Sequence, residues 1–174
     1  MQSPGAPLEI NTVTLGDFGG LVGMCCCPGR IERHNDGVHR PRDLSEDLAM
    51  VCEWQPDLVI SLIELHEFDF LGVAQLPEKL ERTFHWQHHP IRDLSAPSEG
   101  VEEDSLLSQW FGLVSQGGRI LLHCAAGLGR TGTVAARLLM KAGHDADTAI
   151  HLVRAARPGT IESVTQERFL RQPG

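Results

Sequence analysis

No apolar run in this sequence approaches the roughly 18 to 20 residues that span a bilayer. Its opening, MQSPGAPLEI, lacks the charged-then-apolar layout of a secretory signal. The expectation is a cytoplasmic protein with no membrane partner. Positive charge is scarce as well, since 15 Lys and Arg stand against 23 Asp and Glu for a formal net charge of -8. A surface that tracks nucleic acid needs clustered cations, so that partner class is excluded, although a local basic patch can still hold an anion. Paired cysteine spacings are absent too. The five cysteines contain no C-x-x-C, and three of them are adjacent at Cys25, Cys26 and Cys27. Neither a disulfide scaffold nor structural zinc is expected, and the thiols are read as reduced.

What remains is an ordinary globular composition, 41% apolar and 22% charged over 174 residues, enough for one domain with a sizeable core. Ser3, Pro4, Gly5 and Pro7 mark residues 1–7 as an unpacked leader, which leaves 8–174 as the domain. Ile10 to Leu15 alternates like a half-buried strand, and Leu21 to Cys27 is apolar on both parities like an interior one. Residues 28–42 carry Pro28, Gly29, Gly37 and Pro41 with four arginines and read as a long basic loop. Leu44, Leu48, Val51 and Cys52 recur at helical spacing behind Asp43 or Ser45 as N-cap, and Pro56 ends that helix. Strands are expected at Leu58 to Ile63, Phe84 to Ile91 and Ile120 to His123. A short helix and a turn lie between the first two, and further helices are expected at 101–116 and from Thr131 to Lys141, with only helices after that. The order predicts a single α/β domain: a central, mostly parallel sheet of four to five strands, helix-covered on both faces, binding ligands beyond the carboxyl ends of its strands.

The chemistry concentrates in HCAAGLGRTG, His123 to Gly132, where an apolar strand runs into a helix. A loop of small residues lets consecutive N–H groups converge, and the helix adds its free N–H groups and positive dipole end, so the segment suits phosphate or sulfate-like anions. In such surroundings a thiol pKa falls from about 8.5 to roughly 3.5–7.5, which makes Cys124 the candidate nucleophile. Arg130, six residues on, returns its guanidinium over the anion with a two-point fork that lysine lacks. Gly127, Gly129 and Gly132 allow positive φ or close backbone approach, and Ala125 and Ala126 keep the ligand uncrowded, so Cys124 through Arg130, with Leu128, form the phosphate-binding loop. Thr131 can donate its hydroxyl to the sulfur and stabilise it as a leaving group.

His-Cys-x5-Arg-Thr-Gly resembles the phosphate-binding loop of the protein tyrosine and dual-specificity phosphatase superfamily. FHWQHHPIRDLSAPS is similar to that family's general-acid loop and makes Asp93 the acid, as the resemblance implies. Over about residues 19–170, the segments GMCCCPGR, IELHEFDFLGVAQLPE and HHPIRDLSAPS are similar to the cyclin-dependent-kinase-associated phosphatase branch and its bacterial relatives. RPGTIESVTQERF corresponds to the family's water-positioning turn: Gln166 aligns with a family glutamine, while Glu162 stands where many members have the other one. The resemblance implies a phosphocysteine mechanism on phosphorylated protein or peptide, phosphotyrosine with phosphoserine or phosphothreonine in reach, and no cofactor or metal.

Several alternatives compete with this. Gly127, Gly129 and Gly132 form a formal G-x-G-x-x-G, but a dinucleotide fold needs a further strand ending in an acidic residue, and the stretch after Gly132 reads as helical. His85, His88 and His89 suggest a metal, yet on a strand His85 and His89 sit roughly 13 Å apart and His88 faces away. Cys25, Cys26, Cys27 and Cys52 are read as core filling, with the option that one traps an oxidised Cys124. Arg30, Arg33, Arg40 and Arg42 either solvate their loop or attract phosphorylated substrate. No lysine lies among Ala125 to Gly129, which disfavours a polyanionic inositol phosphate. The remaining rival is a phosphate-reading module without turnover, disfavoured by the joint presence of Cys124, Arg130 and Asp93.

Overall fold

Short apolar runs alternating with amphipathic segments form an α/β domain in the computed structural model, which describes residues 5–17 and 19–172. The strands are β1 (Asn11–Leu15), β2 (Gly20–Cys25), β3 (Ile31–Arg33), β4 (His39–Pro41), β5 (Leu58–Ser61), β6 (Trp86–His88) and β7 (Arg119–His123). The helices are α1 (Leu44–Trp54), α2 (Leu65–Phe70), α3 (Leu76–Thr83), α4 (Val101–Ser115), α5 (Gly129–Lys141), α6 (Ala146–Ala156) and α7 (Val164–Arg171).

Five strands make the main sheet in the order β1-β2-β7-β5-β6. Pairing is parallel from β2 through β6, and only the edge strand β1 is antiparallel. β5 and the Ile120–His123 part of β7 are buried throughout, as two-sided burial requires of continuous apolar runs. Helices cover both faces. Gly20 lies under α4, where an added Cβ would sit 1.8 Å from Val114 O, and Gly23, of opposite parity on β2, lies under the Trp54 ring of α1. Asp43 caps α1 by accepting from Glu46 N, and Gln55 closes it in the left-handed conformation just before Pro56.

The structure refines several boundaries. The strand expected over Phe84 to Ile91 shrinks to the three residues of β6, and β5 ends at Ser61. Two short helices, α2 and α3, occupy the interval between them. Residues 28–42, expected as a loop, include the β3–β4 hairpin, closed by His34 N to Val38 O at 3.0 Å. Cys52, expected in the core, is exposed, because the buried face of α1 carries Asp47 and Val51 instead. Of the expected leader, residues 1–4 lie outside the described residues, while Ala6 O accepts from Arg42 Nη2 at 2.9 Å. Among the described residues no strand follows β7, so the dinucleotide-binding alternative lacks its second strand. No described helix is long and apolar enough to cross a membrane.

Candidate active site

β7 stops at His123 and α5 begins at Gly129, which places Cys124 to Leu128 at the carboxyl edge of the sheet. Gly127 adopts φ +72, and a Cβ there would lie 2.1 Å from Cys25 O, so both conformation and space require glycine. Gly129 and Gly132 are needed for close approach alone: a Cβ would meet the Gln166 amide at 2.9 Å in the first and Thr160 Cβ at 2.8 Å in the second.

Three consecutive carbonyls of the loop are held from outside. Ala125 O accepts from Arg30 Nη1 (2.9 Å) and Cys27 N (3.0 Å), Ala126 O from Arg157 Nη2 (3.1 Å), and Gly127 O from Arg157 Nε (2.8 Å). Asn11 Oδ1 holds the third arm of Arg157 at 2.7 Å. In a planar trans peptide the N–H points opposite to its carbonyl. Pinning these carbonyls therefore turns the N–H groups of residues 126–128 to the other side, the arrangement of an anion nest. Cys124 sits at the start of this loop and is buried.

Arg130 is 2% exposed and is gripped by Glu67 of α2 at two points, Nη1 to Oε2 at 2.7 Å and Nη2 to Oε1 at 2.9 Å. Nη1 also donates to Ile91 O at 3.0 Å, and Nη2 lies 3.4 Å from Asp93 Oδ1. Burial alone would raise the Glu67 carboxyl, but the bonds from Arg130 and from Glu64 N outweigh it and hold the group below its ordinary range. Asp93 accepts from Leu94 N at 2.9 Å and keeps a side chain 68% exposed, open to a ligand over the loop. Sequence reasoning assigned nothing to Glu67. The sequence shows only one acidic residue among several in the segment IELHEFDF, and its burial emerges only in the fold.

His123 is buried between two fixed partners. Trp86 Nε1 donates to Ser61 Oγ (2.9 Å), so the Ser61 proton is free to go to His123 Nε2, and Nδ1–H donates to Cys124 O at 3.1 Å. Burial holds the imidazole near pKa 4, with the bond to Cys124 O pulling the other way, so the ring is neutral at pH 7. It orients the backbone at Cys124. Thr131 Oγ1 is buried with no hydrogen-bond partner among the described residues. Such a hydroxyl has a proton to give to whatever charge forms beside it.

The turn before α7 closes over the loop. Glu162 Oε1 accepts from Gly129 N (3.0 Å), and Gln166 Oε1 accepts from Glu162 N (3.0 Å) and Ser163 N (3.1 Å). Gln166 Nε2 reaches Ser95 O at 3.2 Å, and Ser163 Oγ donates to Leu94 O at 2.7 Å, which ties this turn to the segment carrying Asp93. The sequence-derived residues Cys124, Arg130, Thr131, Asp93, Glu162 and Gln166 thus gather from three segments.

Other candidates lie elsewhere. Arg40 is paired with Asp36 and Arg42 with Asp47 and Glu32, while Arg33 Nε faces His39. Arg30 belongs to the loop's support. His88 Nε2 is engaged with Ile63 O and His89 Nε2 with Glu103, and no metal-holding group of three His, Cys, Asp or Glu occurs among the described residues. Cys25 and Cys27 are buried, which raises both thiols and keeps them protonated, and all five cysteines are unpaired.

A family model described as "Polymorphic toxin system, DSP-PTPase phosphatase" matches residues 38–144. Protein tyrosine phosphatase domain-containing protein 1 of Bos taurus is 34% identical over 103 residues, covering 58% of this chain and 13% of the bovine protein. The chain therefore spans only a small part of the length of that curated relative. Among solved structures, a kinase-associated phosphatase with serine replacing its catalytic-site cysteine superposes with a TM-score of 0.80 at 22% identity, covering 95% of this chain and 93% of that one, a likeness of fold. A mutant form of Tk-PTP superposes with a TM-score of 0.65 at 31% identity, covering 91% of this chain and 92% of that one. Matched by the family model over more than half its length, the chain belongs to the DSP-PTPase phosphatase family.

Proposed function

We propose that the chain is a phosphomonoester hydrolase of the protein tyrosine or dual-specificity type, acting through a phosphocysteine on Cys124 with Asp93 as general acid and base. The observation that carries this reading is the Arg130 guanidinium, fixed by Glu67 at 2.7 and 2.9 Å beside a loop whose N–H groups converge, with Asp93 3.4 Å away. Charge develops on a transferring phosphoryl group's equatorial oxygens, and fixed donors of this kind meet it without reorganisation.

The Cys124 thiolate attacks phosphorus and the bond to the substrate oxygen breaks, while protonated Asp93 gives its proton to the departing oxygen. Water then attacks the phosphocysteine, Asp93 takes a water proton, the S–P bond breaks, and phosphate leaves. The partnerless Thr131 hydroxyl donates to the returning thiolate. Glu162 and Gln166, joined to the loop and to the Asp93 segment, position the water. Cys124, Ala125, Ala126, Gly127, Leu128, Gly129 and Arg130 hold the phosphate. The substrate is a phosphorylated protein or peptide, with phosphotyrosine, phosphoserine and phosphothreonine all open to the same chemistry. Neither metal nor cofactor takes part in these steps. Five unpaired thiols suit the reducing cytoplasm.

The test is steady-state hydrolysis of para-nitrophenyl phosphate with EDTA present, across pH. Cys124→Ser is expected to abolish turnover, and Asp93→Asn to lower it by about 10² to 10⁴ with loss of the limb that depends on the acid. A folded wild-type protein that binds phosphate without turnover would instead be a phosphate-reading module.

A further inference from the structure

Three described non-glycine residues have positive φ: Gln55, Leu94 and Ile161. Gln55 closes a helix, and Ile161 is buried with its N–H on Leu128 O, so packing and a hydrogen bond account for both. Leu94 differs. Its backbone is used on both sides, N–H to the Asp93 carboxylate and carbonyl to Ser163 Oγ, at a φ of 62 that glycine or asparagine would adopt with less strain. Its side chain is 53% exposed and contributes little to the core. A leucine held in the left-handed conformation directly after the proposed acid points to a use outside folding. Val164, next to the Ser163 that grips Leu94, is another large apolar side chain in the open, 68% exposed. The two therefore come from adjoining turns, one residue from Asp93 and two from Glu162.

We infer that Leu94 and Val164 form an apolar lip that selects phosphopeptides with an apolar residue directly flanking the phosphorylated one. The inference rests on the phosphatase reading. With Asp93 as proton donor to the leaving oxygen, the residue that follows it in the chain is taken to meet the part of the substrate next to the phosphorylated residue, its immediate neighbour. A membrane surface is the other apolar occupant, but Asp93, Glu99, Glu102 and Glu162 are exposed on these same segments and the net charge is -8, which repels anionic lipid.

The experiment compares kcat/KM for two phosphotyrosine peptides, flanked by leucine or by serine, in wild type, Leu94→Asn and Val164→Ser. Asparagine tolerates the left-handed backbone, and Val164 is exposed at the start of a helix, so each variant checks the other against misfolding. Wild type is expected to prefer the leucine-flanked peptide by about tenfold, the preference falling to about twofold or less in each variant. Equal use of both peptides by wild type, or a preference untouched by the substitutions, overturns the inference. Para-nitrophenyl phosphate turned over by wild type alongside such a result leaves the phosphatase reading intact, whereas no turnover of any substrate sinks both. Sedimentation with phosphatidylserine vesicles that is lost in the variants would assign the lip to a membrane and overturn the peptide proposal.

Discussion

Glu67 and Arg130, 63 residues apart in the chain, meet in a buried two-point ion pair at 2.7 and 2.9 Å. The pair joins α2 to the first turn of α5 and sets the plane of the guanidinium that faces the phosphate loop. Glu67→Gln leaves a buried cation without its counter-charge. The expected cost is about 3 kcal/mol of stability and, from misplacement of the guanidinium, about 10²-fold in kcat/KM for an aryl phosphate. Urea denaturation and steady-state kinetics measure the two separately. Full activity in this variant would mean that Ile91 O and the loop suffice to place Arg130.

His123 makes stability pH-dependent in a defined window. Its folded pKa is about 4, below the 6.5 of a free histidine, so between these values the unfolded chain binds the proton first. Stability is therefore full above about pH 6.5 and falls by about 3 kcal/mol as pH drops to about 4. His123→Asn is expected to flatten that slope in denaturation curves taken at pH 7, 6 and 5. Glu67 acts in a different range. Its depressed pKa contributes stability that is present above the ordinary carboxyl value, about 4.3, and is lost only on further acidification.

Gly127→Ala combines a left-handed backbone with a Cβ 2.1 Å from Cys25 O. A loss of about 3 kcal/mol is expected, together with loss of phosphate binding. Gly16→Ala is the comparison, since φ there is +67 but nothing lies within 4 Å of the added carbon. Its cost should be about 1 kcal/mol, with activity retained. Thermal unfolding and vanadate inhibition of both variants provide the readouts, and equal losses would show that strain alone matters at Gly127.

Arg157 carries two of the three outward carbonyls of the loop, at 2.8 and 3.1 Å. Arg157→Ala frees those peptide units to rotate. Phosphate affinity and kcat are both expected to fall, by about 10²-fold in kcat, with Arg157→Lys recovering only part because one ammonium cannot span two carbonyls and Asn11 at once. A phosphate titration beside the kinetics distinguishes this from simple destabilisation, in which the folded fraction would retain wild-type affinity.

The α/β alternation, the five-stranded limit and the Cys124-to-Arg130 loop were legible because each is written locally. Apolar runs mark strands, helical spacing marks α1 and α5, and the glycines of the loop answer to constraints within a few residues. Where expectation failed, a distant partner decided. Strand β6 is three residues long at the sheet edge, where its length is set against β5, itself only four residues long. The β3–β4 hairpin forms across a stretch whose prolines and glycines read as loop. Cys52 faces out because Asp47, bonded to Arg42 and Gly29 N, occupies the inward side of α1.

The active-site chemistry divides along the same line. Residue type and order by themselves marked Cys124 and Arg130 as candidate nucleophile and fork, since thiol and guanidinium chemistry belongs to single side chains. Asp93, one of 23 acidic residues, was singled out as candidate acid only by the resemblance of its segment to a known family. Tertiary structure alone decided that Glu67 holds Arg130, that Arg30 and Arg157 turn the loop's carbonyls outward, and that Ser163 joins Leu94 to the turn before α7. Those are meetings of groups far apart in the chain, set by how helices pack on the sheet, and no local pattern of residues encodes them.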